Sequence, residues 1–161
     1  MTKSIPHPDD PVIAEPVADT TGAADGRTTQ PLPGGRPLKR PTVLVVDDSP
    51  DAQDVLREYL ESSGYDVLVA HNGRDALATL VEQATPILVV IDLLMPVMDG
   101  MELIEVLNSY RRLAQIPLLV VSGVDVPAAS RVQRVRYLRK PVRRADFLAS
   151  VSEILGAGPG L

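Results

Sequence analysis

Residues 86–100, PILVVIDLLMPVMDG, constrain the fold of this chain more than any other stretch. Ile87 to Ile91 is an unbroken apolar run, rich in β-branched residues and far too short to cross a membrane. Such a run reads as a strand buried on both faces, as in a parallel sheet. It stops at Asp92, where a central strand leaves the core. In open α/β sheets, ligands bind at the carboxyl ends of the strands. Asp92 could instead cap a helix, but Pro96 disfavours helix just before itself. The next helix is better started near Gly100, with Asp99 as its cap. Asp92 is thus left without a structural task and becomes the candidate chemical centre.

A chain of 161 residues suits one domain large enough to bury a core. Without cysteine it has no disulfide framework and no thiolate chemistry. The formal charge of −5 argues against nucleic acid as the main partner. Pro6, Pro8, Asp9, Asp10 and Pro11 interrupt any signal-peptide core, and no apolar run approaches the roughly 20 residues needed to span a bilayer. The expectation is a soluble cytoplasmic protein without a membrane partner. Residues 1–41 hold eight of the fifteen prolines and show no sustained periodicity, and their five basic and five acidic side chains cancel. Such a segment buries too little apolar surface to offset its ordering entropy and is expected to be a disordered tail. His7 stands in it alone, without metal-ligand neighbours.

From Thr42 onward, strands and helices alternate. TVLVV (42–46) is a buried strand ending in Asp47 and Asp48, after which Ser49 and Pro50 supply a helix cap and first position. That helix places Val55, Leu56, Tyr59 and Leu60 on one face and ends at Gly64. Tyr65 to Ala70 is a second strand. Asn72 caps a helix reaching Gln83, with Ala76, Leu77, Leu80 and Val81 inward. After the central strand, a third helix from about Gly100 to Tyr110 buries Met101, Ile104 and Leu107 or their neighbours. PLLVV (117–121) is a fourth strand, followed by Ser122 and Gly123. A fifth lies near Val135 to Leu138, closed by Arg139, Lys140 and Pro141, and a last helix covers about Val142 to Leu155. The order implies parallel strands joined by right-handed crossovers, with no second domain and a frayed end at 157–161.

Three strand ends therefore deliver charge to one edge: Asp47 and Asp48, Asp92, and Lys140, with Ser122 closing the fourth strand. Clustered carboxylates repel and are tolerable when a cation is bound. An oxygen-only ligand set without Cys or His suits Mg²⁺, which pairs with phosphate oxygens. A lysine ammonium and a serine hydroxyl can both hydrogen-bond phosphoryl oxygens. Carboxylate nucleophile, hard cation, lysine and hydroxyl together suit phosphoryl transfer.

The chain here resembles the receiver domain of two-component response regulators over residues 42–156. The motifs that carry the resemblance are VLVVDDSP (43–50), VAHNGRDAL (69–77), DLLMPVMDG (92–100), VVSG (120–123) and YLRKP (137–141). It implies a flavodoxin-like, doubly wound five-stranded parallel sheet in order 2-1-3-4-5 with helices on both faces. It implies that Asp92 accepts a phosphoryl group from a sensor histidine kinase or phosphotransfer protein. Asp48 and Asp92 then hold Mg²⁺ directly with the main-chain carbonyl of Leu94, and Asp47 acts mainly through water. Lys140 contacts the phosphoryl group, Ser122 turns toward it, and Tyr137 is the aromatic switch that follows. A cis bond between Lys140 and Pro141 is also implied. The chain would catalyse only its own phosphorylation and dephosphorylation. It would signal as a monomer or phosphorylation-dependent dimer, through a protein partner rather than an output domain of its own.

Two departures stand out. The interval from Ser122 to Lys140 is about one helical turn short, so the helix between strands four and five, somewhere in Val126 to Gln133, should be short or irregular. Arg131, Arg134, Arg136, Arg139, Lys140, Arg143 and Arg144 follow with no acid between Val126 and Ala145. They form either a solvated face or a docking surface for an acidic partner where this helix, the fifth strand and the last helix meet. Leu94 and Val124 flank the site with apolar side chains. The competing reading is an interaction module that acts independently of phosphorylation, against which the intact Asp47, Asp48, Asp92, Ser122 and Lys140 argue. An aspartate-nucleophile phosphatase lacks its DxD spacing here, and a flavin site lacks its hydroxyl- and glycine-rich loop.

Overall fold

Each central strand is apolar on both sides because it separates two cores. The computed structural model describes residues 40–126 and 135–156, all within the unit spanning residues 37–161. Strands β1 (Thr42–Val46), β2 (Asp66–Ala70), β3 (Leu88–Ile91), β4 (Leu118–Ser122) and β5 (Val135–Arg139) form one parallel sheet in the order β2-β1-β3-β4-β5. Successive side chains point to opposite faces. Leu44, Val46, Val89, Ile91, Leu118 and Val120 enter one core with helices α2 (Gly73–Glu82) and α3 (Gly100–Ser109). Val43, Val45, Leu88, Val90, Leu119 and Val121 enter the other with α1 (Pro50–Glu61) and α4 (Arg144–Leu155). Burying one such side chain stabilises by about 1.5–3 kcal/mol, so β3 tolerates no charge before its carboxyl end. The first charge comes at Asp92.

The helix starts are local chemistry. Ser49 Oγ accepts from Ala52 N with Pro50 at the first position. Asn72 Oδ1 accepts from Asp75 N, and Asp99 forms a reciprocal capping box with Glu102. Gly64 ends the α1 turn at φ +92°, as glycine alone does freely.

Some expectations are corrected. Val81, placed inward from the sequence, is 86% exposed. It lies 100° round the helix from Leu80, in the last turn of α2, past the edge of the buried stripe. Val55 is likewise partly exposed at the margin of the α1 face. Leu103 joins Ile104 and Leu107 in the α3 core with Met101 half-buried against them, and the last helix starts at Arg144 rather than about Val142. A short 3₁₀ turn (Leu113–Gln115) precedes β4. Lys140–Pro141 is cis. The expected tail lies outside the described residues but for its last two positions. The segment expected to hold a short or irregular helix between β4 and β5 also lies outside them but for Val126, as does the end at 157–161.

Candidate functional site

Parallel strands all end on one side of the sheet, so the residues after β1, β3 and β5 share an edge. The β1–β3 register pairs Val46 with Ile91, which sets Asp47 beside Asp92, and Asp92 N donates to Val46 O at 2.9 Å. Asp47 is 2% exposed and Asp92 8%, whereas Asp48 is exposed. Carboxylate oxygens of the three lie within 4.8 Å of one another. Lys140 Nζ donates to Asp47 Oδ2 at 2.9 Å and to Asp92 Oδ2 at 3.1 Å. Burial by itself lowers the lysine pKa, but the hydrogen bonds and charges of Asp47 and Asp92 outweigh it and leave the ammonium above its usual value.

The backbone around these groups is tightly constrained. Asp47 Oδ1 accepts from Ser49 N at 2.9 Å, tying the acid to the α1 entry. Between Asp92 and α3 the chain closes a three-residue turn, with Met98 N donating to Pro96 O at 2.8 Å and Val97 at φ +70°. A β-branched residue rarely adopts this region. Gly100 N donates to Leu93 O at 3.0 Å, and a Cβ on Gly100 would stand 2.3 Å from Asp92 O. Only glycine admits this approach.

Ser122, 1% exposed, ends β4, and its carbonyl accepts from Lys140 N at 3.0 Å. Ser122 and Tyr137 line one small cleft of about 90 Å³ with Val124 and Arg139. Tyr137 is half-buried against the α2–α3 core. A larger cleft of about 540 Å³ opens beside Lys140, walled by Ala52, Val55, Leu56, Pro141 and Val142. Leu94 and Val124 stand exposed near the strand ends.

The basic run is less bare than its sequence suggests. Arg136 pairs with Glu153 and Arg139 with Asp125, while Arg144 donates to Ser62 Oγ and lies over the Tyr59 ring. Arg131 and Arg134 lie outside the described residues. Sequence reasoning also missed Gln53, buried on α1 with its amide at the ends of β1 and β2. Its spacing from Leu56 and Leu60, three and seven residues on, was the available signal.

A parallel sheet in this order, with an acid pocket and a lysine at its carboxyl edge, defines a receiver-type signalling domain. The response regulator receiver domain profile matches residues 43–152, and the chain belongs to that family. An uncharacterised 14.6 kDa protein of Leptolyngbya boryana is 37% identical over 126 residues, covering 76% of this chain and 95% of that one. PilH of Pseudomonas aeruginosa is 32% identical over 117 residues, covering 70% and 96%. The crystal structure of a response regulator receiver protein from Pseudomonas putida is 36% identical with a TM-score of 0.65, covering 71% and 97%. Receiver domains generally bind Mg²⁺ at an acidic pocket, and the oxygen-only donors of Asp47, Asp48 and Asp92 fit that ion. No helix among the described residues is long and apolar enough to cross a membrane.

Proposed function

We propose that this chain is a phosphorylation switch whose acceptor is Asp92. A carboxylate oxygen of Asp92 attacks the phosphorus of a phosphohistidine on a sensor kinase or phosphotransfer protein. The P–N bond breaks, and the imidazole keeps its electron pair. Asp48, Asp92 and the carbonyl of Leu94 would hold Mg²⁺, with Asp47 acting through water. When bound, the ion supplies positive charge against the carboxylates and the phosphoryl oxygens.

Lys140 does two things in sequence. Before transfer it bridges Asp47 and Asp92; afterwards its ammonium serves the new phosphoryl oxygens, a compact charge suited to that exchange. Ser122 then donates its hydroxyl to the phosphoryl group, and Tyr137 follows into the cleft they share. The donor's flank rests in the apolar cleft of Ala52, Val55, Leu56, Pro141 and Val142, whose inner wall includes Lys140. The chain turns over only its own phosphoryl group and passes the signal by protein contacts at the β5–α4 face. The partner there is acidic. Its binding should fall steeply with added salt, and salt-insensitive binding would count against an acidic partner.

The observation that carries this reading is Lys140 Nζ within hydrogen-bond distance of both Asp47 and Asp92, where the three carboxylates converge. Incubation with Mg²⁺ and acetyl phosphate should add one phosphoryl mass to the intact protein, lost in Asp92→Asn. An unmodified wild type, or a modified variant, contradicts it.

A further inference from the structure

Gln53 is a long polar side chain on the buried face of α1, only 4% exposed and in line with Leu56 and Leu60. Its Nε2 donates to Asp47 O at 2.6 Å and to Ala70 O at 3.1 Å, with His71 Nδ1 3.2 Å away. Two carbonyls can only accept, so they fix which way the amide faces. Ala70 O also accepts from Asp47 N at 3.1 Å, which makes it the last rung of the β1–β2 ladder. The Asp47 carbonyl lies beyond that rung, where the strand gives way to the loop before α1.

That carbonyl belongs to the peptide joining Asp47 to Asp48. A peptide unit is planar, so holding its oxygen sets the direction of the Asp48 N–Cα bond. The Asp47 side chain is fixed from elsewhere, by Ser49 N and Lys140 Nζ. Among the described residues the exposed Asp48 carboxylate has no such tie, and its aim depends on the backbone that carries it. We propose that Gln53 is a positioning residue for Mg²⁺ binding. By clamping the Asp47–Asp48 peptide against the end of β2, it holds the Asp48 carboxylate toward Asp92. This rests on the reading of Asp48 and Asp92 as ligands. Gln53 touches neither the ion nor the phosphoryl group and acts through Asp48.

The test is calorimetric titration of the unphosphorylated full chain with MgCl₂, beside its melting temperature without the ion. Gln53→Met keeps the length and removes both donors. It should raise the Mg²⁺ Kd by about tenfold, whereas Ser150→Ala, a change at another buried polar side chain, should lower the melting temperature without moving the Kd. Should Gln53→Met fail to fold, Gln53→Asn carries the test, keeping the amide on a side chain one methylene too short to reach both carbonyls. A folded variant of either kind with the wild-type Kd overturns the proposal and leaves the phosphorylation reading standing. A wild type that binds no Mg²⁺ overturns both.

Discussion

The Lys140 ammonium lies 3.1 Å from Asp92 Oδ2, joining residues 48 apart in sequence across the carboxyl edge of the sheet. The same nitrogen reaches Asp47, so one cation serves two carboxylates that are almost fully buried. Removing it as Lys140→Met leaves both acids without that partner. Because the lysine is 31% exposed, solvent screens part of the loss, and the apo protein should be destabilised by about 1–2 kcal/mol. Urea unfolding with and without Mg²⁺ measures it, and the deficit should narrow when the ion is present.

The pH dependence of that deficit follows from the raised lysine pKa. Burial alone lowers it, but the bonds and charges of Asp47 and Asp92 prevail. A raised folded-state value means the stabilisation is complete below the ordinary value of 10.5 and is lost as pH rises through the folded one. Between about pH 7 and about pH 9 the difference between wild type and Lys140→Met should therefore stay level, as urea midpoints across that range would report.

Asp92→Asn should fold and, without Mg²⁺, match or exceed the wild type by up to about 1 kcal/mol, because like charges so close repel. Lys140 retains Asp47. Marked unfolding of the apo variant would mean that Asp92 is needed to hold the fold.

Gly100→Ala is the damaging counterpart. Its methyl would meet Asp92 O at 2.3 Å and Leu93 Cα at 2.8 Å, both backbone. Relief requires moving the segment that carries Asp92, so a loss of about 1–3 kcal/mol is expected. Thermal melting and acetyl phosphate labelling should fall together.

Val97→Gly should do the opposite. Val97 is 70% exposed, so little burial is lost, while its φ of +70° stores strain of order 1–3 kcal/mol. Glycine's extra unfolded-state freedom takes back about 0.5–1 kcal/mol. A net gain of about 1 kcal/mol is expected by chemical denaturation.

The three central strands were legible because burial on both faces forces unbroken apolar runs, and the acids because each stands where a run stops. Asp47, Asp92 and Lys140 meet as their strand ends suggested. Gln53 escaped because a polar helical residue reads as surface until its phase with Leu56 and Leu60 is followed. Val97 escaped because nothing in a β-branched side chain announces a positive φ. Glu153 stands 17 residues beyond Arg136, so a local count of charges around the arginines could not see their pairing.

The most direct measurement locates the phosphoryl group itself. Protein treated with Mg²⁺ and acetyl phosphate is reduced with borohydride, which converts an acyl phosphate at aspartate into homoserine, and its peptides are sequenced by mass spectrometry. Homoserine at position 92 alone is the predicted result. Homoserine at Asp47, Asp48 or another residue, or none at all, would contradict the assignment of Asp92 as the acceptor.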